Sequence, residues 1–291
     1  MAEMESSKPL ITSLNFLADD PKHATEKLFA LHYVPHDPLP HTNYSLKPES
    51  GLEIHDVRPN KDALSLDREG VIVIDLENQL DYDDYFDEAK VREKFAEEVR
   101  DILLRKLGAR HVYFHECVIR KRKSNPSDSL APAGREVEPK SKLRYGQPVM
   151  FAHADYTIDT VTTLLRALCG EKAEEKLARD YQALNVWKPL KGPLKDWPLT
   201  WCDIRTVDVE QDMVAIDDVY LTGVVEGYRV RYSPRQNWFY LSEQLVSEAI
   251  VFKSADSQCF GSVPHTAFFN PNCPIDEAAR ESIELRVFVL Y

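Results

Sequence analysis

The chain is poor in glycine, and none of its ten glycines forms a Gly-x-Gly pair. The turn that cradles a dinucleotide is therefore missing, which argues against a Rossmann fold binding NAD or S-adenosylmethionine. The motifs G-x-x-x-x-G-K-[ST] and G-x-S-x-G are also absent, so P-loop and nucleophile-elbow chemistry lack their usual marks. His115-Glu116 is not followed by the second histidine of an H-E-x-x-H zinc motif.

Disulfide, secretory and membrane signals are missing as well. The five cysteines are scattered and never spaced as C-x-x-C; they are Cys117, Cys169, Cys202, Cys259 and Cys273. This pattern favours free thiols in a reducing compartment over a zinc site or a disulfide framework. The first nine residues carry Glu3, Glu5 and Lys8 without an apolar run, and no apolar stretch reaches bilayer length. We therefore expect a cytoplasmic protein that does not enter a membrane.

The charge balance restricts the partners. The chain has 36 basic and 48 acidic residues, which gives a formal net charge of −12. Such a balance argues against binding nucleic acid or anionic membranes through bulk electrostatics. The 291 residues and a hydrophobic content of 43% suffice for one large or two small domains with real cores. We expect a small-molecule substrate, and the sequence is compatible with a homodimer or a heterodimer.

Residues 1–70 are predicted to form an extended N-terminal arm packed on the core, because prolines interrupt regular ladders there. The remaining residues, 71–291, are predicted to form the main part of a single domain. Four of the five histidines in this segment lack the regular spacing of metal ligands, so solvated or capping roles are expected; they are His23, His32, His36 and His41.

The remaining pattern predicts an α+β protein that is mainly β, a barrel or sandwich with helices outside. Val91, Phe95, Val99 and Leu103 recur every four residues and indicate an amphipathic helix over 88–107, which ends at Gly108. Further helices are predicted at 160–168 and 171–181. Strands are predicted at 71–75, 112–114, 118–119, 184–187, 199–203, 224–232, 238–241, 249–253, 266–269 and 283–291. The long polar segment 121–147 favours a lid.

The main candidate site is His153-Ala154-Asp155 together with the distant His265. Residues i and i+2 of a strand share a face, so His153 and Asp155 are expected to point the same way. Two imidazoles and one carboxylate on one face are typical of non-haem Fe(II) sites, which keep their other positions open. A barrel can bring His265 beside the pair from another strand. The competing interpretation makes Asp155 or Asp159 the N-cap of the helix that follows.

Arg280 and Ser282 are candidates for anchoring a dicarboxylic cosubstrate such as 2-oxoglutarate. A guanidinium gives paired hydrogen bonds to a carboxylate, and a hydroxyl adds a third. Arg286 shares the same two-residue period and is the second candidate. The competing interpretation is an edge strand whose charged residues, Glu284 included, point outward.

Several strings around these residues resemble one family. They are His153-Ala154-Asp155-Tyr156-Thr157, Asn185-Val186-Trp187-Lys188-Pro189-Leu190, Asp196-Trp197-Pro198-Leu199, Pro264-His265-Thr266-Ala267-Phe268 and Arg280-Glu281-Ser282-Ile283-Glu284-Leu285-Arg286. Together they resemble the AsaB-type hydroxylase/desaturase family of fungal secondary metabolism, whose relatives include CmcJ-like proteins and a gibberellin desaturase. The resemblance covers most of the chain from residue 71 onward.

This resemblance implies a double-stranded β-helix (a jelly-roll, cupin-like core) with flanking helices. It implies an oxygenase that uses Fe(II), 2-oxoglutarate and O2 to hydroxylate or desaturate an unactivated carbon of a secondary metabolite. It carries the metal-ligand role onto His153, Asp155 and His265, and the 2-oxoglutarate role onto Arg280 and Ser282.

The same strings indicate a substrate pocket. Trp187 and Trp238 are predicted to line it, with Asn185 or Lys253 supplying polar contacts. Plain core packing is the competing interpretation for the two tryptophans.

Two other functions stay open from sequence. One is a catalytically idle family member that acts as a structural partner subunit of another oxygenase. The other is a cupin-like enzyme that uses a different metal or no 2-oxo acid.

Overall fold

The computed structural model describes residues 8–35, 39–77, 80–123 and 143–291. The strands are β1 Leu10–Leu17, β2 Leu28–Leu31, β3 Leu46–Asp56, β4 Val71–Asp75, β5 His111–Lys121, β6 Leu143–Gly146, β7 His153–Ala154, β8 Tyr181–Pro189, β9 Leu199–Cys202, β10 Met213–Tyr220, β11 Gly223–Val230, β12 Trp238–Tyr240, β13 Glu248–Asp256, β14 His265–Ala267 and β15 Glu281–Leu290. The helices are α1 Glu88–Lys90, a π-helical segment Val91–Ala96, α2 Glu97–Leu107, α3 Ile158–Cys169, α4 Ala173–Leu177 and α5 Val209–Asp212. Short 3-10 helices lie at Pro21–Ala24, Arg58–Ala63, Tyr82–Phe86, Gly170–Lys172 and Ile204–Thr206.

Within these residues the strands form two sheets that pack face to face. The larger sheet has nine strands in the order β1-β3-β12-β9-β14-β7-β11-β10-β2, and the smaller has six in the order β4-β13-β8-β15-β5-β6. Apolar side chains from both sheets meet between them, among them Trp187 and Phe252 of the smaller sheet and Trp201 of the larger. We call the surfaces that meet here the inner faces.

The helical stretch over 88–107 covers the outer face of the smaller sheet. Phe95, Val99 and Leu103 are buried against strand residues there, as their four-residue spacing predicts. The helix ends at Gly108, whose φ of 65° places it in the left-handed region that favours glycine. The predicted helix is therefore confirmed, with a π-helical turn that the pattern does not reveal.

The N-terminal segment does not form the predicted extended arm. Instead β1, β2 and β3 are members of the nine-stranded sheet, and β1 pairs with β3 along its whole length. Pro48 is tolerated in β3 because β12 pairs only with residues 54–56, which leaves one edge of the strand free beside the proline. The histidine at position 36 lies outside the described residues.

Most of the predicted strands are confirmed, with small changes at their ends. The predicted helix over 171–181 is too long, because α4 ends at Leu177 and β8 begins at Tyr181. The strand β10 is missed because Asp217 and Asp218 interrupt its apolar alternation. Most of the predicted lid, residues 124–142, lies outside the described residues.

A buried lysine joins the helical layer to the smaller sheet. Lys188 on β8 is only 1% exposed, and its Nζ donates a hydrogen bond of 2.6 Å to the hydroxyl of Tyr85. The ammonium lies 4.4 Å from the ring centroid of Tyr85 and 5.6 Å from that of Phe95. Burial lowers the pKa of Lys188 from 10.5 to about 8.

We expect Lys188→Met to raise the free energy of unfolding at pH 7 by about 1–3 kcal/mol, because the folded protein no longer holds a charge in a dry site. Between pH 8 and 10.5 the unfolded chain binds more protons at Lys188 than the folded chain. The parent protein therefore gains stability from Lys188 as pH rises through this window, and the variant lacks that gain. Urea unfolding at pH 7 and pH 10 measures both effects.

Lys94→Met on the exposed side of the same helical layer is the control. A loss of stability in Lys188→Met, or the same pH profile in both variants, would contradict the assigned cost of burial.

Candidate metal centre

Three side chains converge where β7 meets β14 in the larger sheet. His153 and His265 are directly opposite each other on these strands, and their ring centroids are 4.3 Å apart. Each Nε2 lies 3.8 Å from a carboxylate oxygen of Asp155. One ligand atom from each residue lies within 4.8 Å of the other two, a cluster that could hold a metal ion. The structure thus brings together the three residues that the sequence motif selects.

Both imidazoles present Nε2 to this cluster because their other nitrogen is occupied. Nδ1 of His153 lies 3.0 Å from the carbonyl of Phe151, and Nδ1 of His265 lies 3.0 Å from the carbonyl of Val263. A proton on Nδ1 satisfies each carbonyl and leaves the Nε2 lone pair free for a metal. Burial and the neighbouring His265 lower the pKa of His153 to about 3, so that ring is neutral at physiological pH.

Asp155 is held as an ionised carboxylate by two donors. Arg286 Nη2 donates to Oδ1 at 3.0 Å, and the side-chain amide of Asn185 donates to Oδ2. Burial raises the pKa of Asp155, but the Arg286 guanidinium, the two imidazoles and the Asn185 amide together outweigh burial and lower this pKa well below its usual range.

The competing capping role for Asp155 is wrong. Helix α3 is capped by Thr157, whose hydroxyl accepts the backbone N–H of Thr160 at 3.2 Å. Asp159 lies in the first turn of that helix and is exposed.

Asn185 is fixed from its other side. It is fully buried on β8, and its Oδ1 accepts a hydrogen bond of 2.8 Å from the hydroxyl of Ser254. The Ser254 carbonyl in turn accepts from Ser262 at 2.8 Å. These contacts fix the orientation of the amide, so its N–H group points at Asp155 and positions that carboxylate.

We expect Asn185→Ala to weaken binding of a divalent metal by about 10- to 100-fold, the range typical of partners that orient a ligand. The alanine removes the donor that fixes Oδ2 of Asp155, while the charge of Asp155 and its contact with Arg286 are kept. Anaerobic metal titration of the full chain measures the change.

Gln182→Ala is the matched control, because Gln182 is a buried amide on the same strand that bonds to Asp256 at 2.8 Å, away from the triad. Equal metal affinity in Asn185→Ala and the parent protein would show that the amide does not position Asp155.

Arg286 does not have the predicted role of second cosubstrate anchor. Its guanidinium contacts Glu116 at 2.5 Å, Asp155 at 3.0 Å and Glu284 at 3.1 Å. These three carboxylates of the protein surround the cation, so this structure corrects the prediction. Glu284 does not point outward either, because β15 lies between β8 and β5 and only 4% of Glu284 is exposed.

Arg280 and Ser282 lie next to each other at the start of β15. Arg280 is 3% exposed, directly before β15, with Nε 3.4 Å from the hydroxyl of Ser282. Its Nη1 donates to the carbonyl of Trp197 at 2.7 Å, and its guanidinium carbon lies 4.8 Å from the ring centroid of Trp187. Trp187 follows Asn185 by two residues and shares its face, so Arg280 lies on the inner face beside the triad.

Two residues predicted for the substrate pocket lie elsewhere. Trp238 pairs with Cys202, whereas His265 pairs with the preceding residue, Trp201, so the two side chains point to opposite faces of the sheet. The ring of Phe252 lies 4.6 Å from that of His265, so Lys253 points to the outer face.

Both are core residues, which corrects the prediction. Trp238 packs edge-on against Phe16, and Lys253 forms a buried ion pair of 2.6 Å with Asp256. Asn185 and Trp187 alone of the four predicted pocket residues face the triad.

A polar and aromatic wall beside His153 is missing from the sequence-based site. Arg229 is the direct cross-strand neighbour of His153, and its guanidinium carbon lies 4.9 Å from the ring centroid of Phe151. Its Nη2 donates to Asp218 at 2.9 Å, and Nε2 of His32 lies 2.9 Å from the same carboxylate oxygen. Parallel pairing of β2 with β10 brings His32 here, which no local motif signals.

Comparison with known proteins gives concordant matches. The family model described as oxidoreductase/YMDC permease-like domain matches residues 14–290. The Fe(II)/2-oxoglutarate-dependent dioxygenase nvfI of Aspergillus novofumigatus is 29% identical over 263 residues, covering 85% of each chain. The hydroxylase/desaturase efuI of Hormonema carpetanum is 26% identical over 258 residues, covering 82% of each chain. The hydroxylase/desaturase asaB of Aspergillus flavus is 31% identical over 152 residues, covering 46% of this chain and 66% of the relative.

A solved structure agrees with these relatives. The iron and alpha-ketoglutarate-dependent endoperoxidase NvfI superposes with a TM-score of 0.81 at 26% identity, covering 97% of this chain and 98% of the other. The predicted fold class, a mainly β jelly-roll with flanking helices, is therefore confirmed. None of the helices in the described ranges has the length and apolar character that a bilayer crossing needs.

Proposed function

Because this chain belongs to the oxidoreductase/YMDC permease-like domain family, and because its relatives include two named dioxygenases, we propose that it is an Fe(II)/2-oxoglutarate-dependent oxygenase. It hydroxylates or desaturates an unactivated carbon of a small secondary metabolite. The observation that carries this proposal is the buried convergence of His153, Asp155 and His265. The resemblance to the AsaB-type family is confirmed by relatives that bear those names.

His153, Asp155 and His265 are the residues that would hold Fe(II). Their chemistry fits this metal, since two imidazoles and one carboxylate are the ligand set typical of non-haem Fe(II) sites. When bound, Fe(II) would activate O2 with electrons from 2-oxoglutarate, so that a carbon of the substrate can be oxidised.

The surrounding residues orient and shield this centre. Asn185 and Arg286 fix both oxygens of Asp155, so the carboxylate keeps one orientation. The ring of Phe252 covers His265 at 4.6 Å, and Trp201 is fully buried beside it in the sheet. Such apolar walls exclude water from the reacting groups.

Arg280 and Ser282 bind the carboxylate of 2-oxoglutarate that lies away from the metal. The guanidinium and the hydroxyl are adjacent and buried, which suits a charge-assisted contact. The Arg229 wall with Phe151 and His32 lies on the other side of His153 and contacts the substrate. Residues 1–70 and 71–291 form a single domain in this proposal, since strands from both share one sheet. We also propose that the protein acts in the cytoplasm.

The test is anaerobic loading of the full chain with Fe(II) and 2-oxoglutarate, followed by O2 and a panel of small metabolites. We expect succinate to form in step with oxidation of one substrate class. Metal binding with activity that ignores 2-oxoglutarate would instead favour the cupin-like alternative. Absence of metal binding, with a stable complex formed with a co-expressed relative, would favour the idle structural subunit.

A further inference from the structure

The ionised groups on the inner face of the smaller sheet fall into two halves. Near the triad, Asp155, Glu116 and Glu284 surround the single cation Arg286. The formal charges of these four groups sum to −2. A divalent cation at the triad cancels that charge.

The other half contains two guanidiniums, those of Arg280 and Arg120. Arg120 on β5 lies directly opposite Ser282, the residue that contacts Arg280. Its Nη1 donates to the carbonyl of Gln147 at 3.0 Å.

No carboxylate of the described ranges forms an ion pair with either guanidinium. Asp196 is close to Arg280, but its Oδ2 accepts from Arg122 Nε at 2.6 Å and from the backbone N–H of Arg280 at 2.7 Å. This half of the inner face therefore carries a formal charge of +2.

Two adjacent cations, Arg280 buried and Arg120 half-buried, are unfavourable without an anion. Burial, and then the neighbouring Arg120, lower the pKa of Arg280 to about 9. Glu284 and Asp196 act in the opposite direction on Arg280, but burial and Arg120 outweigh them. The arrangement thus favours a ligand that brings its own negative charge.

We propose that Arg120 and Arg280 together bind the distal carboxylate of 2-oxoglutarate, which makes Arg120 a specificity residue for the cosubstrate. The inference rests on the proposed function. Asn185 contacts Asp155, and Trp187 packs against the guanidinium of Arg280. These two residues of β8 are two positions apart, so their Cα atoms are separated by about 7 Å. A five-carbon dicarboxylate can bridge that span with its 2-oxo acid end at the metal. Its distal carboxylate would bring one negative charge to the two guanidiniums, and its other carboxylate would lie at the metal.

The test compares two ligands that differ in one carboxylate, 2-oxoglutarate and 2-oxopentanoate. The full chain is saturated with Fe(II) or Mn(II) without oxygen, and each dissociation constant is measured by calorimetry. We expect Arg120→Gln to raise Kd for 2-oxoglutarate by about 10- to 100-fold and to leave Kd for 2-oxopentanoate within about twofold. Arg120→Lys keeps the charge without the paired donors, and we expect a smaller loss of preference for 2-oxoglutarate.

Arg92→Gln is the control, because that guanidinium lies on an exposed helical surface. Equal weakening of both ligands in Arg120→Gln would make Arg120 merely structural and overturn the inference. Unchanged affinity of Arg120→Gln for 2-oxoglutarate would also overturn the inference. If Arg120→Gln does not fold, an unchanged preference of Arg120→Lys for 2-oxoglutarate over 2-oxopentanoate would overturn it. If the metal-loaded parent protein binds neither ligand, the proposed function itself fails.

Discussion

Replacing Asp155 with alanine is expected to weaken Fe(II) binding more than about 100-fold and to remove 2-oxoglutarate-dependent turnover, since a lost ligand costs more than a lost orienting partner. The substitution removes the only charged ligand of the triad. It also leaves Arg286 facing the metal position, where a cation repels a cation. Anaerobic titration with Fe(II), followed by an assay for succinate, measures both losses.

The fold should survive this change, because Arg286 retains Glu116 and Glu284 as partners. Asp159→Ala is the matched control: it removes a carboxylate four residues along the same segment, on the exposed first turn of α3. Unaltered metal affinity in Asp155→Ala would remove this residue from the ligand set. Equal losses in both variants would point to a general effect on the segment.

Arg280→Gln is expected to raise Kd for 2-oxoglutarate by about 100-fold or more while metal affinity stays unchanged. Each charge-assisted hydrogen bond lost contributes about 1.5–3 kcal/mol, and a guanidinium makes at least two with a carboxylate. Calorimetry on the metal-loaded protein measures the binding.

Stability separates this role from a structural one. No carboxylate within the described residues pairs with Arg280, so its removal should leave Tm of the ligand-free protein unchanged or higher. Added 2-oxoglutarate should then stabilise the parent protein and the exposed-surface control Arg235→Gln, but not Arg280→Gln. A large fall in Tm of the ligand-free variant, with 2-oxoglutarate affinity intact, would mean that Arg280 only supports the loop at Trp197.

Local sequence patterns predict the parts of this fold that depend on residues close together in the chain. Four-residue spacing from Val91 to Leu103 predicts the helical layer, because each turn repeats the same face. The H-x-D spacing predicts that His153 and Asp155 act together, because a strand alternates its faces. The convergence of His265 on this pair follows only from the family resemblance and the idea of a barrel.

Strand register decides what the sequence leaves open. Trp238 and Lys253 look suited to a pocket, but each points away from the triad because the adjacent residue of its own strand, Phe239 or Phe252, points toward it. Arg120 precedes Lys121, Arg122 and Lys123, a basic run that is typical of a solvated surface. Only the pairing of Arg120 with Ser282 places it beside Arg280.

The N-terminal segment shows the same limit. Its prolines predict an irregular arm, yet β1 and β3 form a long ladder because the free edge of β3 accommodates Pro48. His32 reaches the wall beside His153 through strand pairing that spans most of the chain. Such long-range pairing leaves no local pattern.

The most direct measurement is a crystal structure of the full chain grown without oxygen, with Mn(II) in place of Fe(II) and with 2-oxoglutarate. The account predicts one anomalous peak bonded to Nε2 of His153, Nε2 of His265 and one oxygen of Asp155, with a carboxylate of 2-oxoglutarate at Arg280. Metal bound at another cluster, or a 2-oxoglutarate molecule away from both the triad and Arg280, would contradict it.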